Sequence, residues 1–223
     1  MRIDREAYRF LKGKDLSNGH YFPVEWQPVV ERNAALMDVA RGKNVIHVGC
    51  ADHIELIAEK RRKNRYLHDL LTSVASSVVG VDVNKEALAE MEKIGFGDLY
   101  TPEAFPAGRE FDLIVAADVI EHVANVGEFL RELRKFRCER VVITTPNAFR
   151  LRNRRLWKAE LVNTDHRYWF SPYTLAKNVV ESGIEIEKMC YTDRLAWASP
   201  LETLRKWWFP ICRDGLLIVG KFR

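Results

Sequence analysis

Two stretches decide the fold: Val45-Ile46-His47-Val48-Gly49-Cys50-Ala51-Asp52 and, further along, Val78-Val79-Gly80-Val81-Asp82. Each is a short unbroken run of apolar, mostly β-branched residues that stops at a glycine or an acid. Such runs suit strands buried on both faces of a parallel sheet, whereas a half-exposed strand would alternate. Outward from them the pattern repeats. Phe111 to Ala117 (FDLIVAA) and Val141-Val142-Ile143-Thr144-Thr145, stopped by Pro146, read as two more buried strands, and others are expected near 184–191 and 215–222. Helices fall between them. Asn84 caps one that carries Ala87, Leu88, Met91 and Ile94, with Gly95 just beyond its end. Asn125 caps one that carries Val126, Phe129, Leu130, Leu133 and Phe136, and Ser171-Pro172 opens one that ends at Gly183. Val29, Val30, Ala34, Leu36, Met37 and Ala40 form a helical stripe before Gly42, so residues 1–42 read as an N-terminal helical extension ahead of a domain at 43–223. Alternating strands and helices argue an α/β fold with a doubly wound, mainly parallel sheet, whose ligands sit at the carboxyl ends of the strands.

Composition sets the outer bounds. The chain has 223 residues, 47% hydrophobic and 30% charged, which excludes a disordered chain, a collagen-like repeat and a small disulfide scaffold. Cys50, Cys138, Cys190 and Cys212 make no CxxC pair, so reduced thiols are expected. The charged start Met1-Arg2-Ile3-Asp4-Arg5-Glu6 is no signal peptide, and no apolar run approaches the length of a membrane span, so the protein is expected in the cytoplasm. The net charge of +4 is unevenly spread. Residues 60–65 and 150–158 each hold five basic residues and no acid, leaving 25 basic against 31 acidic residues elsewhere, a net of −6.

The residues that follow the strands carry the chemistry. His47 to His53 places Gly49, Cys50 and Ala51 where backbone can approach a ligand. It fails the dinucleotide fingerprint, which needs glycines where Ala51 and Ile54 stand. Asp82, followed by Val83, can accept the hydroxyls of a ribose or simply cap a helix. Gly97-Asp98-Leu99 offers an acid for an exocyclic amine beside an apolar side chain, or a plain turn. Ala117-Asp118-Val119-Ile120-Glu121-His122-Val123 is the densest cluster. One helical turn there would set Asp118, Glu121 and His122 on one face.

Taken in order, VIHVGCAD, VVGVDVN, GDL at 97–99, FDLIVAADVIEHV and VVITTPN make the chain resemble class I S-adenosylmethionine-dependent methyltransferases over residues 43–223. The closer similarity is to a subgroup with D-x-x-E-H after the fourth strand, which includes quinone-biosynthesis O-methyltransferases. Asp165-His166-Arg167-Tyr168-Trp169-Phe170-Ser171-Pro172 resembles that subgroup's next stretch. The resemblance implies a Rossmann-like, three-layer α/β/α fold with a seven-stranded sheet in the order 3-2-1-4-5-7-6, the last strand antiparallel. It implies S-adenosyl-L-methionine as cofactor, bound by His47, Gly49, Cys50, Ala51, Asp82, Val83, Gly97, Asp98, Leu99, Ala117 and Asp118. It places His122, Glu121 and His166 in the catalytic positions.

Methyl transfer to a hydroxyl needs an aligned acceptor and a proton acceptor. His122 or His166 suits the second role, since imidazole titrates near neutrality. The expected reaction is O-methylation of a small-molecule, glycan or lipid-linked acceptor. An alternative is RNA 2′-O-methylation, in which Asp118, Glu121, His122 and His166 would hold Mg²⁺ or Mn²⁺, as in similar small-RNA enzymes. Another is a non-catalytic nucleotide-binding protein. The basic segments fit phosphate, nucleic acid or an anionic membrane, or else solvated helix faces. The tryptophan-rich stretch 197–209 fits an acceptor pocket or packing on the sheet edge.

Overall fold

A computed structural model describes residues 3, 5–15, 19, 21–22, 29–155, 159–193 and 200–223. Trp157, Lys158 and Trp197 lie outside the described residues. The elements are α1 (Arg5–Leu11), β1 (Val30–Glu31), α2 (Arg32–Ala40), β2 (Asn44–Val48), α3 (Ile54–Arg62), α4 (Leu67–Thr72), β3 (Ser77–Val81), α5 (Lys85–Lys93), β4 (Leu99–Tyr100), β5 (Leu113–Ala117), α6 (Val126–Glu132), β6 (Arg140–Pro146), β7 (Arg154–Arg155), β8 (Ala159–Glu160), α7 (Pro172–Glu181), β9 (Ile184–Asp193), α8 (Pro200–Trp208) and β10 (Gly215–Phe222). Eight strands form the main sheet in the order β4-β3-β2-β5-β6-β10-β9-β1, and β7 and β8 form a separate antiparallel pair. The first seven strands stand in the expected order. β10 runs antiparallel to β9, while β2–β3, β2–β5, β3–β4 and β1–β9 are parallel.

The eighth strand corrects two expectations, the sheet of seven and the helical start at Val29. Val30 and Glu31 pair with Thr192 and Asp193 of β9, and the helix begins only at Arg32. An edge strand leaves backbone N–H and C=O groups unpaired, and an extended segment satisfies them where a helix could not. The apolar runs behave as read: every residue of β5, and all but the first of β2, are buried. The caps also form. Asn84 accepts from Ala87 N, Asn125 Oδ1 from Glu128 N, and Ser171 makes a capping box with Thr174 ahead of Pro172.

The chain divides into two compact units, each described by itself. One comprises 33–117 and 133–142; the other comprises 1–32, 118–132 and 143–223. In the first, Cys50, Ile57, Tyr66, Leu88 and Met91 form one buried cluster that Ala51, Phe96 and Leu99 join. The basic run 60–65 sits here as a solvated helix face: Lys60 pairs with Asp52, Arg61 with Asp69, and Lys63 with Glu59. In the second unit, α1 buries Ala7 and Leu11, and Lys177 of α7 donates to Phe10 O. No described helix is long and apolar enough to cross a membrane, and all four cysteines are free.

Gly80 is the point where β3 admits its neighbours. A Cβ there would stand 2.5 Å from Leu99 Cδ2 and 2.7 Å from the buried Cys50 Sγ. Gly80→Ala should therefore lower stability by about 1–3 kcal/mol through overpacking. Urea unfolding should show a lower midpoint with an unchanged slope.

Candidate functional site

The sequence-predicted residues gather as two groups, one in each unit. In the first unit, β2 ends at Gly49, whose φ of +71° turns the chain sharply. Gly49 N and Cys50 N both donate to Val81 O, at 2.8 and 3.3 Å. Asp82 then ties the loop down: Oδ2 accepts from Ala51 N and Oδ1 from Asn84 N, each at 2.9 Å. Each oxygen keeps a lone pair for a further donor. Burial raises the Asp82 carboxyl above its ordinary value, while these backbone donors pull the other way. Tyr66 O–H donates to Cys50 O at 3.0 Å, and burial pushes the Cys50 thiol up, so it stays protonated. The loop is a backbone-lined cradle with a fixed carboxylate at its edge, and this donor set fits an adenosyl ribose.

The remaining candidates of that unit take varied positions. His47 points into the core, 2% exposed, with Nδ1 3.1 Å from Nδ1 of His68. Burial pushes His68 down to about 4, so it is neutral at physiological pH. The side chain of His47 is thus a core partner of His68. Val83 is 80% exposed, and Ala117 is buried. A Cβ on Gly97 would meet nothing within 4 Å. Asp98, at φ +53°, accepts from both terminal nitrogens of Arg109, at 3.1 and 3.3 Å, and from Tyr100 O–H. Arg109 holds its carboxyl below the ordinary value. Sequence reasoning missed His68 and Arg109; neither stands in a motif.

In the second unit, the acid-rich segment is not a helical turn. Asp118 takes φ +54°, and His122 N bonds Val119 O at 2.9 Å, closing a tight turn ahead of Asn125. Aspartate tolerates this left-handed conformation, which ends the strand without a helix. Asp118 is held on both oxygens: Thr144 Oγ1 donates to Oδ1 at 2.8 Å, and Arg32 lies 3.1 Å from Oδ2. Arg32 comes from α2 and no motif announces it; Thr144 and Thr145 belong to VVITTPN, which foreshadowed the strand end and not the hydroxyls' partners.

Glu121 is 1% exposed. Thr145 Oγ1 donates to its Oε2 at 2.9 Å, and Oε1 is buried without a hydrogen-bond partner. Burial, with Asp118 nearby, pushes its carboxyl up to about 8. The backbone N–H groups of Arg167 and Tyr168 close on Glu121 O, bringing His166 to His122 with ring centroids 4.8 Å apart at 88°. His166 also packs on Trp169, under Arg150. Burial, with His122 and the Arg150 guanidinium nearby, lowers its pKa, so it stays neutral, and its Nδ1 has no hydrogen-bond partner. His122 Nδ1 lies 3.0 Å from Asp165 O. A carbonyl only accepts, so Nδ1 carries the proton and Nε2 of the neutral ring carries the lone pair. The ligand atoms of Glu121, His122 and His166 all lie within 4.8 Å of one another. Asp118, the fourth residue expected with them, is held by Arg32 and Thr144.

Comparison with known proteins now adds to the geometry. A comparison with curated proteins returns no match. Among solved structures, the chain is similar to an S-adenosylmethionine-dependent methyltransferase from Mesorhizobium loti (14% identity, 84% of this chain and 96% of that one, TM-score 0.51). It is similar to magnesium protoporphyrin IX methyltransferase from Synechocystis PCC 6803, solved with bound SAH (12% identity, 86% and 82%, TM-score 0.54). It is also similar to a SAM-dependent methyltransferase from Aquifex aeolicus (11% identity, 87% and 91%, TM-score 0.54). At these identities the likeness concerns the fold. The family model described as "Methyltransferase domain" matches residues 19–188, most of the chain. The chain belongs to that methyltransferase family, and its strand order is the one expected of the class I S-adenosylmethionine-dependent fold.

Proposed function

We propose that the protein methylates a hydroxyl on a small-molecule, glycan or lipid-linked acceptor in the cytoplasm, with His122 as general base. The domain that does so spans 43–223, with 1–42 as an N-terminal extension that lends Arg32 to Asp118. The observation that carries this reading is the Nδ1-to-Asp165 contact, which leaves Nε2 of His122 as the proton acceptor. S-adenosyl-L-methionine, when bound, supplies an electrophilic methyl group. The chain's own residues do the rest. The Gly49–Ala51 backbone and the Asp82 carboxylate would hold the cofactor, with Asp82 accepting from the ribose hydroxyls. His122 receives the acceptor's proton, and Asp165 O, hydrogen-bonded to Nδ1, steadies the imidazolium that forms. His166 and Trp169 shape the wall beside it.

A divalent ion is the second reading, favoured by the Glu121–His122–His166 donor set and by the unpartnered Oε1 of Glu121. Two imidazoles and one carboxylate fit Mn²⁺ better than Mg²⁺, which prefers an oxygen shell. Chelation separates the readings: turnover that survives EDTA supports the base, and loss restored by Mn²⁺ supports the ion.

Three measurements test the site. Calorimetry should show binding of S-adenosylhomocysteine, weakened roughly tenfold or more by Asp82→Asn, since loss of one charged hydrogen-bond acceptor is worth about 1.5–3 kcal/mol; no binding by the wild-type chain would overturn the cofactor assignment. His122→Ala should lower kcat by about 10²–10⁴-fold at unchanged cofactor affinity, and an unaltered rate would remove His122 from the chemistry. Glu121 gives a pH signature. Its folded-state pKa, about 8, lies above its ordinary 4.5, so its contribution to stability is complete below about 4.5 and is lost as pH rises toward 8. Glu121→Gln should abolish that decline, gaining on the order of a few kcal/mol over wild type at pH 8 in EDTA. Parallel pH–Tm curves would show that Glu121 does not titrate in this way.

A further inference from the structure

Asn147 ends the VVITTPN run, and it is fully buried. Both hydrogens of its side-chain amide go to backbone carbonyls of one segment: Nδ2 donates to Ile211 O at 2.7 Å and to Arg213 O at 2.9 Å. Oδ1 serves another segment, accepting from Phe149 N at 3.1 Å. The main chain repeats the division. Asn147 N donates to Asp214 O at 3.0 Å, and Asn147 O accepts from Arg150 N at 3.1 Å and from Asn153 Nδ2 at 3.3 Å. One residue thus joins the turn 211–214 to the loop 148–153.

The turn is anchored by charge. Asp214 N donates to Asp193 Oδ1 at 3.1 Å, and Arg213 stands 2.6 Å from Asp193 Oδ2. Lys206 of α8, 2% exposed, has Nζ 2.8 Å from Asp214 Oδ2 and 3.5 Å from Asp193 Oδ1, while Trp208 on the same helix stays 64% exposed. The loop carries the link to the histidines. Ala148 N donates to Phe170 O at 2.8 Å. Asn153 Nδ2 also donates to Ala148 O, and Asn153 Oδ1 accepts from Arg150 Nε at 2.6 Å. The Arg150 guanidinium lies over Trp169 at 4.8 Å, the Trp169 ring packs on His166 at 4.9 Å, and His166 meets His122 at 4.8 Å.

We propose that Asn147 is a positioning residue for the histidine pair: by bracing the loop 148–153 against the turn 211–214, it holds Phe170 and Trp169 and through them sets His166 against His122. The proposal deepens the reading of His122 as the base and rests on that reading for its consequence in turnover. Segment 165–170 is held at both ends. Arg167 N and Tyr168 N bond Glu121 O near its start, and Ala148 N bonds Phe170 O at its finish, so the backbone that bears His166 is fixed from two sides. The place requires an amide. An aspartate of the same shape would set an oxygen against the carbonyls of Ile211 and Arg213, and a leucine would leave those carbonyls and Phe149 N buried without partners. The motif's asparagine is thereby given a task, next to the two threonines that serve Asp118 and Glu121.

NMR of the full chain in EDTA tests the proposal. Wild type should show nuclear Overhauser contacts between the rings of His122 and His166 and between those of His166 and Trp169, with slow exchange of the Ala148 amide. Asn147→Asp, its folding checked by a dispersed amide spectrum, should lose both ring contacts and exchange the Ala148 amide at least roughly tenfold faster. If that variant does not fold, Asn153→Ala decides: it removes only the bonds to Arg150 Nε, Asn147 O and Ala148 O, and it should lose the His166–Trp169 contact. Calorimetry with S-adenosylhomocysteine should give each folded variant the affinity of wild type. The proposal is overturned if wild type lacks the ring contacts, if the folded variants keep them, or if contacts and S-adenosylhomocysteine binding are lost together. Failure of the parent reading shows elsewhere: a wild-type chain that binds no S-adenosylhomocysteine removes the cofactor assignment, and ring nitrogen shifts that put the proton of His122 on Nε2 remove the base, while the ring contacts alone judge Asn147.

Discussion

One carboxylate holds two turns of the sheet's carboxyl edge together. Asp82 closes β3, and its two oxygens reach the backbone N–H of Ala51 in the loop after β2 and of Asn84 at the start of α5. Parallel strands buried on both faces leave their terminal backbone groups without a ladder partner, and those groups need acceptors that a water-poor edge cannot supply. Asp82 supplies them, with Val81 O taking the N–H groups of Gly49 and Cys50. The cradle is therefore shaped before any ligand arrives. Gly80, one residue earlier, makes the close approach of Leu99 and Cys50 possible by having no side chain.

The second unit solves a related problem with a different charge balance. Asp118 closes β5 in a left-handed conformation and is met by Thr144 at the end of β6 and by Arg32. The next threonine, Thr145, points its hydroxyl to Glu121. Adjacent residues of one strand thus serve two acids, as expected where side chains alternate between faces. Segment 165–168 is then pinned by backbone bonds to Glu121 O and by Tyr168 O–H to Ala124 O, which fixes where His166 stands.

What could be read from the sequence was local or periodic. Asn84, Asn125 and Ser171 cap helices through residues only three positions away, and the strands announce themselves by unbroken apolar runs. What could not be read depends on partners far along the chain. Arg32 meets Thr144 across 112 positions, and Lys206 meets Asp193 at the end of β9 and Asp214 in the turn before β10. The D-x-x-E-H spacing would suit a helical turn, and a tight turn brings the same residues together once Asp118 adopts a positive φ. The tryptophan-rich helix shows the limit of periodicity: it reveals which residues share a face, and the buried lysine decides which face is turned inward.

The two acids of the turn differ in the one respect that governs their chemistry. Asp118 has a guanidinium 3.1 Å from one oxygen and a hydroxyl on the other, so its charge is compensated where it sits. Glu121 is more deeply buried, has one hydroxyl donor, and keeps Oε1 without any. A buried carboxylate in that position gains more from a proton than from ionisation, and a nearby like charge adds to the preference. His166, kept neutral beside His122, offers a lone pair and no counter-charge. Ionising Glu121 sets a second negative charge near that of Asp118, with Arg32 as the cation that partly offsets it.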